Sequence, residues 1–239
     1  MVPRLSSRQA RRQNTNQSSP SSLSSRRPHR SFVLHRVMTR ICTPGFSVTK
    51  YEDKSGFRTI STCSLKFDNV RVPAANLVGG EAGLGKGFGF AMKTLDKSRA
   101  CVGALAVGIA RRALDEAIAF VKERVTFGAP VSKRQGIQWM IADMATKIEA
   151  SRQLVSHAND LQSKGLPFSK EAAMAKMFAT QSAMEVCTDA IQLMGGKGYM
   201  KEDCVEKLFR DIKAYCIFEG TNQIQKIVIS GAVLSGKGH

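Results

Sequence analysis

From about Phe88 to the end of the chain, apolar residues recur every three to four positions, and only short segments containing Gly or Pro interrupt them. This spacing places the apolar side chains on one face of a helix. It predicts three long and two short helices, over about 88–121, 137–161, 169–193, 205–212 and 224–231. Long helices joined by short loops are typical of an up-and-down bundle. We therefore predict a mainly α fold with a bundle over residues 79–239.

A different pattern precedes the helices. The segments "GFSVTKYE" and "CSLKFDNVRVP" alternate apolar and polar residues, which is the period of a β-strand. Pro73 ends the second segment, and the glycine-rich stretch 79–89 follows it. We predict a short β region over residues 43–78, connected to the first helix by a flexible loop.

The net charge of +17 comes mostly from the first part of the chain, because residues 1–51 carry nine arginines and Lys50 and no acid. We predict that residues 1–42, an Arg/Ser-rich tail, are disordered and dispensable. The tail has the composition of an organelle transit peptide, but it also fits a basic arm or residues foreign to the mature protein. A transit peptide would place the protein in the mitochondrial matrix; otherwise we expect it in the cytoplasm.

Composition also excludes several classes of protein. The rest of the chain has no dense basic run interleaved with aromatic residues, so we expect no nucleic-acid binding. The longest apolar run, "ACVGALAVGIA" (100–110), is shorter than the roughly 18 residues that a membrane span needs, and it predicts a helix buried on all sides. The six cysteines form no CxxC pair and the four histidines lie far apart. We interpret the cysteines as reduced core residues of an intracellular protein and expect no metal site.

The stretch "AYCIFEGTNQIQK" (214–226) raises a chemical question. Ile217 and Phe218 are predicted to be core residues, yet Glu219 follows them directly. A buried carboxylate is costly unless it is paired or used. The structural alternative is an acid at a helix start, because Thr221 is a plausible N-cap and negative charge is favourable there.

Four other motifs each have an ordinary structural explanation. "GEAGLGKG" (80–87) resembles a phosphate loop but has Gly87 in place of the hydroxyl residue, so we interpret it as a connector. Asp96 and Arg99 in "LDKSRA" fit a local ion pair. Arg124 in "ERVTFGAPV" fits a cation at a helix C-terminus. The glycines of "QLMGGKGY" fit a helix cap, although they would also let a ligand approach the backbone.

Taken together and in order, these motifs closely resemble those of the acyl-CoA dehydrogenase family, in particular its short- and medium-chain branch. The matching segments are "LDKSRACVGALAVGIARRALDEA", "ERVTFG", "QLMGGKGY", "VEKLFRDIKAY" and "FEGTNQIQ". The resemblance runs from about Gly45 to Leu234. It implies the C-terminal helical bundle of that family, preceded by a short remnant of the family's middle β-domain.

The resemblance implies that Glu219 is the catalytic base of an FAD-dependent enzyme of fatty acid β-oxidation. Glu219 would remove the α-proton of a fatty acyl-CoA while the β-hydrogen leaves as hydride to flavin, giving the trans-2-enoyl-CoA. Its backbone N–H would bond the thioester oxygen, and Gly220 would let the thioester come close. Some branches carry the base two residues after the Asp of "LDxxR"; here that position is Ser98, which cannot serve.

Further roles follow from the same resemblance. Asp96 and Arg99 match positions that line the acyl-CoA site. The positions that match FAD contacts, several of them across a subunit boundary, are Arg124, Thr126, Gln135, Gln192, Leu193, Met194, Gly195, Gly196, Thr221 and Gln223. One departure is Arg134, where some members have His. The resemblance also implies an electron-transfer flavoprotein as the electron acceptor and a homo-oligomer, a homotetramer in the family.

Two readings of function stay open. The family's N-terminal helical domain has no counterpart in this sequence, and neither has the first part of its β-domain, which supplies much of the flavin-ring pocket. The chain is therefore either an acyl-CoA dehydrogenase in truncated form or a catalytically inactive helical bundle that serves in oligomerisation. A third reading, nucleic-acid binding through the tail, would require binding that is lost when residues 1–42 are removed.

Overall fold

The structure is a computed structural model and describes residues 43–236. Five helices form its bulk: α1 (Gly87–Glu123), α2 (Gln135–Ser163), α3 (Ser169–Met194), α4 (Cys204–Tyr215) and α5 (Asn222–Leu234). The predicted mainly α bundle is confirmed, and each predicted helix is present. The predictions for the tail, residues 1–42, lie outside the described residues.

The helices run up and down around α3, which packs against α1, α2, α4 and α5. Gly103 of α1 shows how closely the first three approach. A Cβ added there would lie 2.9 Å from Val155 Cγ2 near the end of α2 and 3.3 Å from the Ala175 carbonyl oxygen near the start of α3. At the other end of α1, the Lys197 ammonium, just beyond α3, lies 5.6 Å from the centre of the Phe120 ring. Hence α1 and α3 are parallel, and α2 is antiparallel to both.

Alanine makes this close packing possible. Five alanines of α1 and five of α3 are buried in one apolar cluster with larger residues of α2 and α4. A small side chain leaves room for the neighbouring backbone, so the helices pack closely. This packing fixes the backbone positions from which the long polar side chains of the bundle extend. One prediction about this region is wrong: the 100–110 segment is not buried on all sides, because Leu105 is 57% exposed and Cys101 is also exposed.

A β-hairpin precedes the bundle. Its strands, β1 (Phe46–Tyr51) and β2 (Cys63–Phe67), pair antiparallel, with Phe46 opposite Phe67 and Val48 opposite Leu65. Residues paired in this way share a face, so the hairpin has one apolar face. Leu65 and Phe67 are more than half exposed, and no described residue covers that face. The alternation predicted the strands correctly, but a two-stranded ribbon alone cannot bury the apolar face that the alternation marks.

A second, very short hairpin joins α1 to α2. Its strands are β3 (Val125–Thr126) and β4 (Ala129–Pro130), and Phe127 and Gly128 form the turn with φ of 50° and 79°. None of the described helices is long and apolar enough to cross a membrane.

Candidate active site

Glu219 lies in the turn that joins α4 to α5. The N–H groups of Ile217 and Phe218 both donate to the Ala214 carbonyl, at 2.9 and 3.0 Å, which closes the end of α4. The chain then reverses through Glu219 and Gly220, with φ of 56° and 84°. Glycine adopts this left-handed conformation freely, but a residue with a Cβ loses about 1–2 kcal/mol there. A glutamate held at such a position makes the turn a candidate functional site.

The two apolar residues before Glu219 differ in their burial. Phe218 packs against Tyr215 and Phe57, with ring centroids 4.9 and 6.2 Å away, and this packing anchors the start of the turn. Ile217 is 56% exposed, so the prediction that it belongs to the core is wrong. The backbone reverses after Phe218, and only one of two successive side chains can point inward there.

The carboxylate of Glu219 reaches across to the first helix. Ser98 of α1 donates its hydroxyl hydrogen to Glu219 Oε2 over 2.7 Å. Ser98 is also the position at which the resemblance places the base of other branches. The two positions therefore face the same small region of space, one from α1 and the other from the α4–α5 turn.

A buried cation lies next on α1. Arg99 is only 3% exposed and forms an ion pair with Asp96, as the i,i+3 spacing predicted. Its Nε is buried and has no hydrogen-bond partner among the described residues. The ion pair thus places a guanidinium with one unused donor next to Ser98, the residue of α1 that contacts Glu219.

Two fully buried polar side chains hold the backbone of the turn. The Lys176 ammonium of α3 donates to the Gly220 carbonyl at 2.9 Å and to Asn222 Oδ1 at 3.0 Å. The Gln225 amide of α5 donates to the same Gly220 carbonyl at 2.8 Å and to the Glu219 carbonyl at 3.3 Å. The N–H groups of Glu219 and Gly220 donate to no other described residue.

Sequence reasoning missed both side chains. The available signal was Lys176 itself, a charged residue in the apolar stretch "AAMAKMFA" of α3. Burial lowers the pKa of Lys176 to about 8; the nearby Cys216 and Glu219 oppose this shift, and the charge of Arg99 adds to it. The lysine thus lies within electrostatic reach of both Arg99 and Glu219.

Thr221 and Gln223 follow the turn directly. Thr221 is the N-cap of α5, as predicted, and its hydroxyl oxygen accepts the Ile224 N–H at 3.3 Å. Both residues line a cavity of about 290 Å³, whose other walls include Met184, Lys213 and Lys226. The cavity offers two ammonium groups and three amides beside a helix N-terminus, together with the Glu185 carboxylate, a set that suits a carbonyl-rich ligand.

The remaining predicted residues lie elsewhere in the chain. We call them the distal group: Arg124, Thr126, Gln135 and the segment 192–196. Arg124 is 25 residues beyond Arg99 along the same continuous helix, which at 1.5 Å per residue is about 37 Å. The turn and the distal group of one chain therefore cannot contact the same end of a small ligand.

The hairpin after α1 arranges part of the distal group. Arg124 caps α1 and Gln135 begins α2, and both are exposed. The Arg134 guanidinium donates to the Thr126 carbonyl at 2.6 Å and lies 5.2 Å from the centre of the Phe127 ring. The departure from the family at Arg134 thus fixes the hairpin through Thr126. Phe127 itself is 97% exposed.

The segment 192–196 closes α3. Gly195, with φ of 60°, is the C-cap, as the glycine pattern predicted, and Gln192 and both glycines are exposed. Leu193 and Met194 are buried in the apolar cluster. Any contact that these two residues make with a ligand must therefore come from their backbone. The segment lies at the same end of the bundle as Arg124, because Lys197 contacts Phe120.

Comparison with known proteins identifies the family and the fold. The family model for the acyl-CoA dehydrogenase C-terminal domain matches residues 85–234. An acyl-CoA dehydrogenase from Bacillus subtilis (strain 168) is 50% identical over 194 residues, which cover 81% of this chain and 50% of the relative. The chain belongs to the acyl-CoA dehydrogenase family.

Solved structures agree. The butyryl-CoA dehydrogenase of Megasphaera elsdenii is 47% identical with a TM-score of 0.78, over 81% of this chain and 50% of that one. A chain in a structure described as the electron transferring flavoprotein of Acidaminococcus fermentans is 50% identical, with the same TM-score and the same coverage. The chain thus spans about half the length of the relatives that it matches.

The left-handed turn predicts different changes in stability when its two adjacent residues, Glu219 and Gly220, are substituted. Gly220→Ala should lower the free energy of unfolding by about 2 kcal/mol, because alanine is strained at this φ. Its Cβ would also lie 2.8 Å from Gln225 Nε2. Glu219→Gly should stay within about 1 kcal/mol of the wild type, since relief of strain offsets the lost bond to Ser98. Urea unfolding followed by circular dichroism measures both, and an unaffected Gly220→Ala variant would contradict the geometry.

The lowered pKa of Lys176 predicts a pH dependence of stability. Below pH 8 the lysine is protonated in both states; between pH 8 and its ordinary pKa of 10.5, only the unfolded chain keeps the proton. The unfolded state then binds more protons, so stability rises with pH in this window. The free energy of unfolding of the wild type minus that of Lys176→Met should therefore increase from pH 8 to pH 10. A difference that stays flat would show that the pKa is not lowered.

Proposed function

We propose that this chain carries the base and part of the substrate site of a fatty acyl-CoA dehydrogenase. Glu219 removes the α-proton of the acyl-CoA thioester, and the product is the trans-2-enoyl-CoA. The observation that carries the proposal is the conformation of Glu219. Its backbone is left-handed, and the Ser98 hydroxyl orients one of its carboxylate oxygens. An acid that served only a helix start would gain nothing from this strain.

Proton removal from the α-carbon needs more than a base, because negative charge develops on the thioester oxygen. The Glu219 N–H has no described partner, so it is free to donate to that oxygen, where such a bond is worth most. Gly220 leaves the space beside it open to the thioester. Arg99, buried and ion-paired with Asp96, supplies positive charge on the α1 side of the same region.

FAD is the cofactor that fits this arrangement, and when bound it accepts the β-hydrogen as hydride. The chain offers two sets of donors. Thr221 and Gln223 line the cavity beside the turn. The distal group presents the Arg124 guanidinium, the Gln135 amide and two exposed glycines, which suit a pyrophosphate and a close-lying nucleotide.

The separation of these two sets supports assembly of several copies. Arg99, next to the residue of α1 that contacts the turn, lies about 37 Å along α1 from Arg124 of the distal group, so a dinucleotide bound at the turn of one copy would meet the distal group of another. We therefore propose a homo-oligomer, the homotetramer of the family, in which each FAD is held between copies.

Substrate and partner follow from the relatives. The Megasphaera elsdenii protein is a butyryl-CoA dehydrogenase, so butyryl-CoA is the first substrate to test. A second similar chain belongs to a structure described as an electron transferring flavoprotein. We propose such a flavoprotein as the electron acceptor.

The alternative function is an inactive bundle that serves only in assembly. Its support is that the chain spans about half the length of its relatives. The two functions predict different colours for the purified protein. An active chain is yellow, with flavin in the assembled fraction, whereas the inactive bundle assembles without flavin and is colourless.

Substitution of the base tests the catalytic proposal. Glu219→Gln keeps the shape and can still accept the Ser98 hydrogen bond, but it cannot accept the α-proton. Since a positioned base contributes about 10²–10⁴-fold, we expect butyryl-CoA to bleach the flavin band in the wild type and to do so at least about 100-fold more slowly in the variant. Flavin content should be unchanged.

Glu149→Gln, an exposed change on α2, is the matched control and should bleach at the wild-type rate. Equal rates for Glu219→Gln and the wild type would end the assignment of the base. A wild type that binds no flavin, or that binds it and does not bleach, would favour the inactive bundle.

A further inference from the structure

Two side chains that donate hydrogen bonds to the turn have no role in the reaction as proposed so far. Lys176 and Gln225 are each 0% exposed, come from different helices and converge on one carbonyl oxygen, that of Gly220. Gln225 also reaches the Glu219 carbonyl. The carbonyls of both left-handed residues are thus held by side chains rather than by regular secondary structure.

Neither side chain is a good choice for stability alone. The Lys176 ammonium is buried, and it forms no salt bridge with a carboxylate of the described chain. The Gln225 Oε1 is buried without a hydrogen-bond partner among the described residues. Burying a charge or an unpaired polar atom is unfavourable, and apolar side chains of the same size would fill these places at lower cost. A function of the bonds to the turn accounts for their presence.

The chain makes room for these bonds. A Cβ at residue 220 would lie 2.8 Å from Gln225 Nε2, so only glycine lets the amide approach this closely. Asn222, the other acceptor of the Lys176 ammonium, is the first residue of α5, and its own N–H donates to the Cys216 carbonyl at 3.1 Å. Lys176 therefore joins the turn to the start of the next helix.

We propose that Lys176 and Gln225 are positioning residues: by holding the Gly220 and Glu219 carbonyls they keep both residues left-handed, and so aim the Glu219 carboxylate and N–H at the substrate. That these two side chains hold the turn is inferred from their hydrogen bonds alone. The effect on catalysis rests on the proposed function.

Two near-isosteric variants remove the donors and keep the volume: Lys176→Met and Gln225→Met. Hydrogen–deuterium exchange followed by mass spectrometry reads the turn directly in peptides covering residues 214–224. We expect exchange about tenfold faster in these peptides, from the loss of one or two buried hydrogen bonds, and unchanged exchange in peptides of α1. The second variant decides the matter if the first does not fold.

Cys187→Ala is the matched control. Cys187 is a fully buried residue of the same helix as Lys176, and it belongs to the apolar cluster rather than to the turn. Its loss should weaken the bundle without selectively accelerating exchange in residues 214–224. Equal acceleration in the control, or none in both methionine variants, would overturn the proposal.

Kinetics with butyryl-CoA separates positioning from general damage. In the flavin-loaded protein, both methionine variants should lower kcat about tenfold or more and change KM less than about twofold, because the substrate still binds while the base is misaimed. The primary isotope effect with α-deuterated butyryl-CoA should increase. Faster exchange with an unchanged kcat would overturn the catalytic part. If the wild type itself shows no turnover, the proposed function fails, and exchange alone decides whether these side chains hold the turn.

Discussion

The hydrogen bonds from Lys176 and Gln225 to the Gly220 carbonyl tie the α4–α5 turn to two separate helices. Without these bonds, a turn of two left-handed residues would change its backbone conformation, because only glycine adopts this φ without strain. The Lys176 bond depends on the place of α3 in the middle of the bundle, where alanines let its neighbours approach closely. Core packing and site geometry are therefore parts of one arrangement.

The length of α1 gives the chain its second constraint. Ser98 and Arg99 contribute to one end of the bundle, and Arg124 caps the same helix at the other end. A rigid helix fixes this separation, so residues that the family resemblance assigns to one cofactor cannot all meet it within one chain. The proposed assembly resolves this, and it gives a reason for the exposure of the distal residues and of Phe127.

The sequence predicted the five helices well because long amphipathic periods are the strongest local signal. It also predicted the Thr221 and Gly195 caps, since capping depends on a few neighbouring residues. It failed where burial depends on distant parts of the chain. Leu105 and Ile217 were assigned to the core by their apolar character, yet they face outward.

Lys176 and Gln225 were missed for the opposite reason. Lysine and glutamine are usually exposed, so a local pattern places them at the surface. Their partners lie 44 and 5 residues away, and the geometry of neither contact is visible in the sequence. Glu219 was singled out by its neighbours, but its left-handed backbone and its contact with Ser98 emerged only from the fold.

The central claim is that Glu219 is a base aimed at the α-carbon of an acyl-CoA. Exchange of the α-hydrogens of butyryl-CoA with D₂O measures this directly, since it needs the base and no net oxidation. Mass spectrometry should show deuterium entering butyryl-CoA in the presence of the wild-type chain, and at least about 100-fold more slowly with Glu219→Gln. Incorporation at equal rates with the two proteins would contradict the claim.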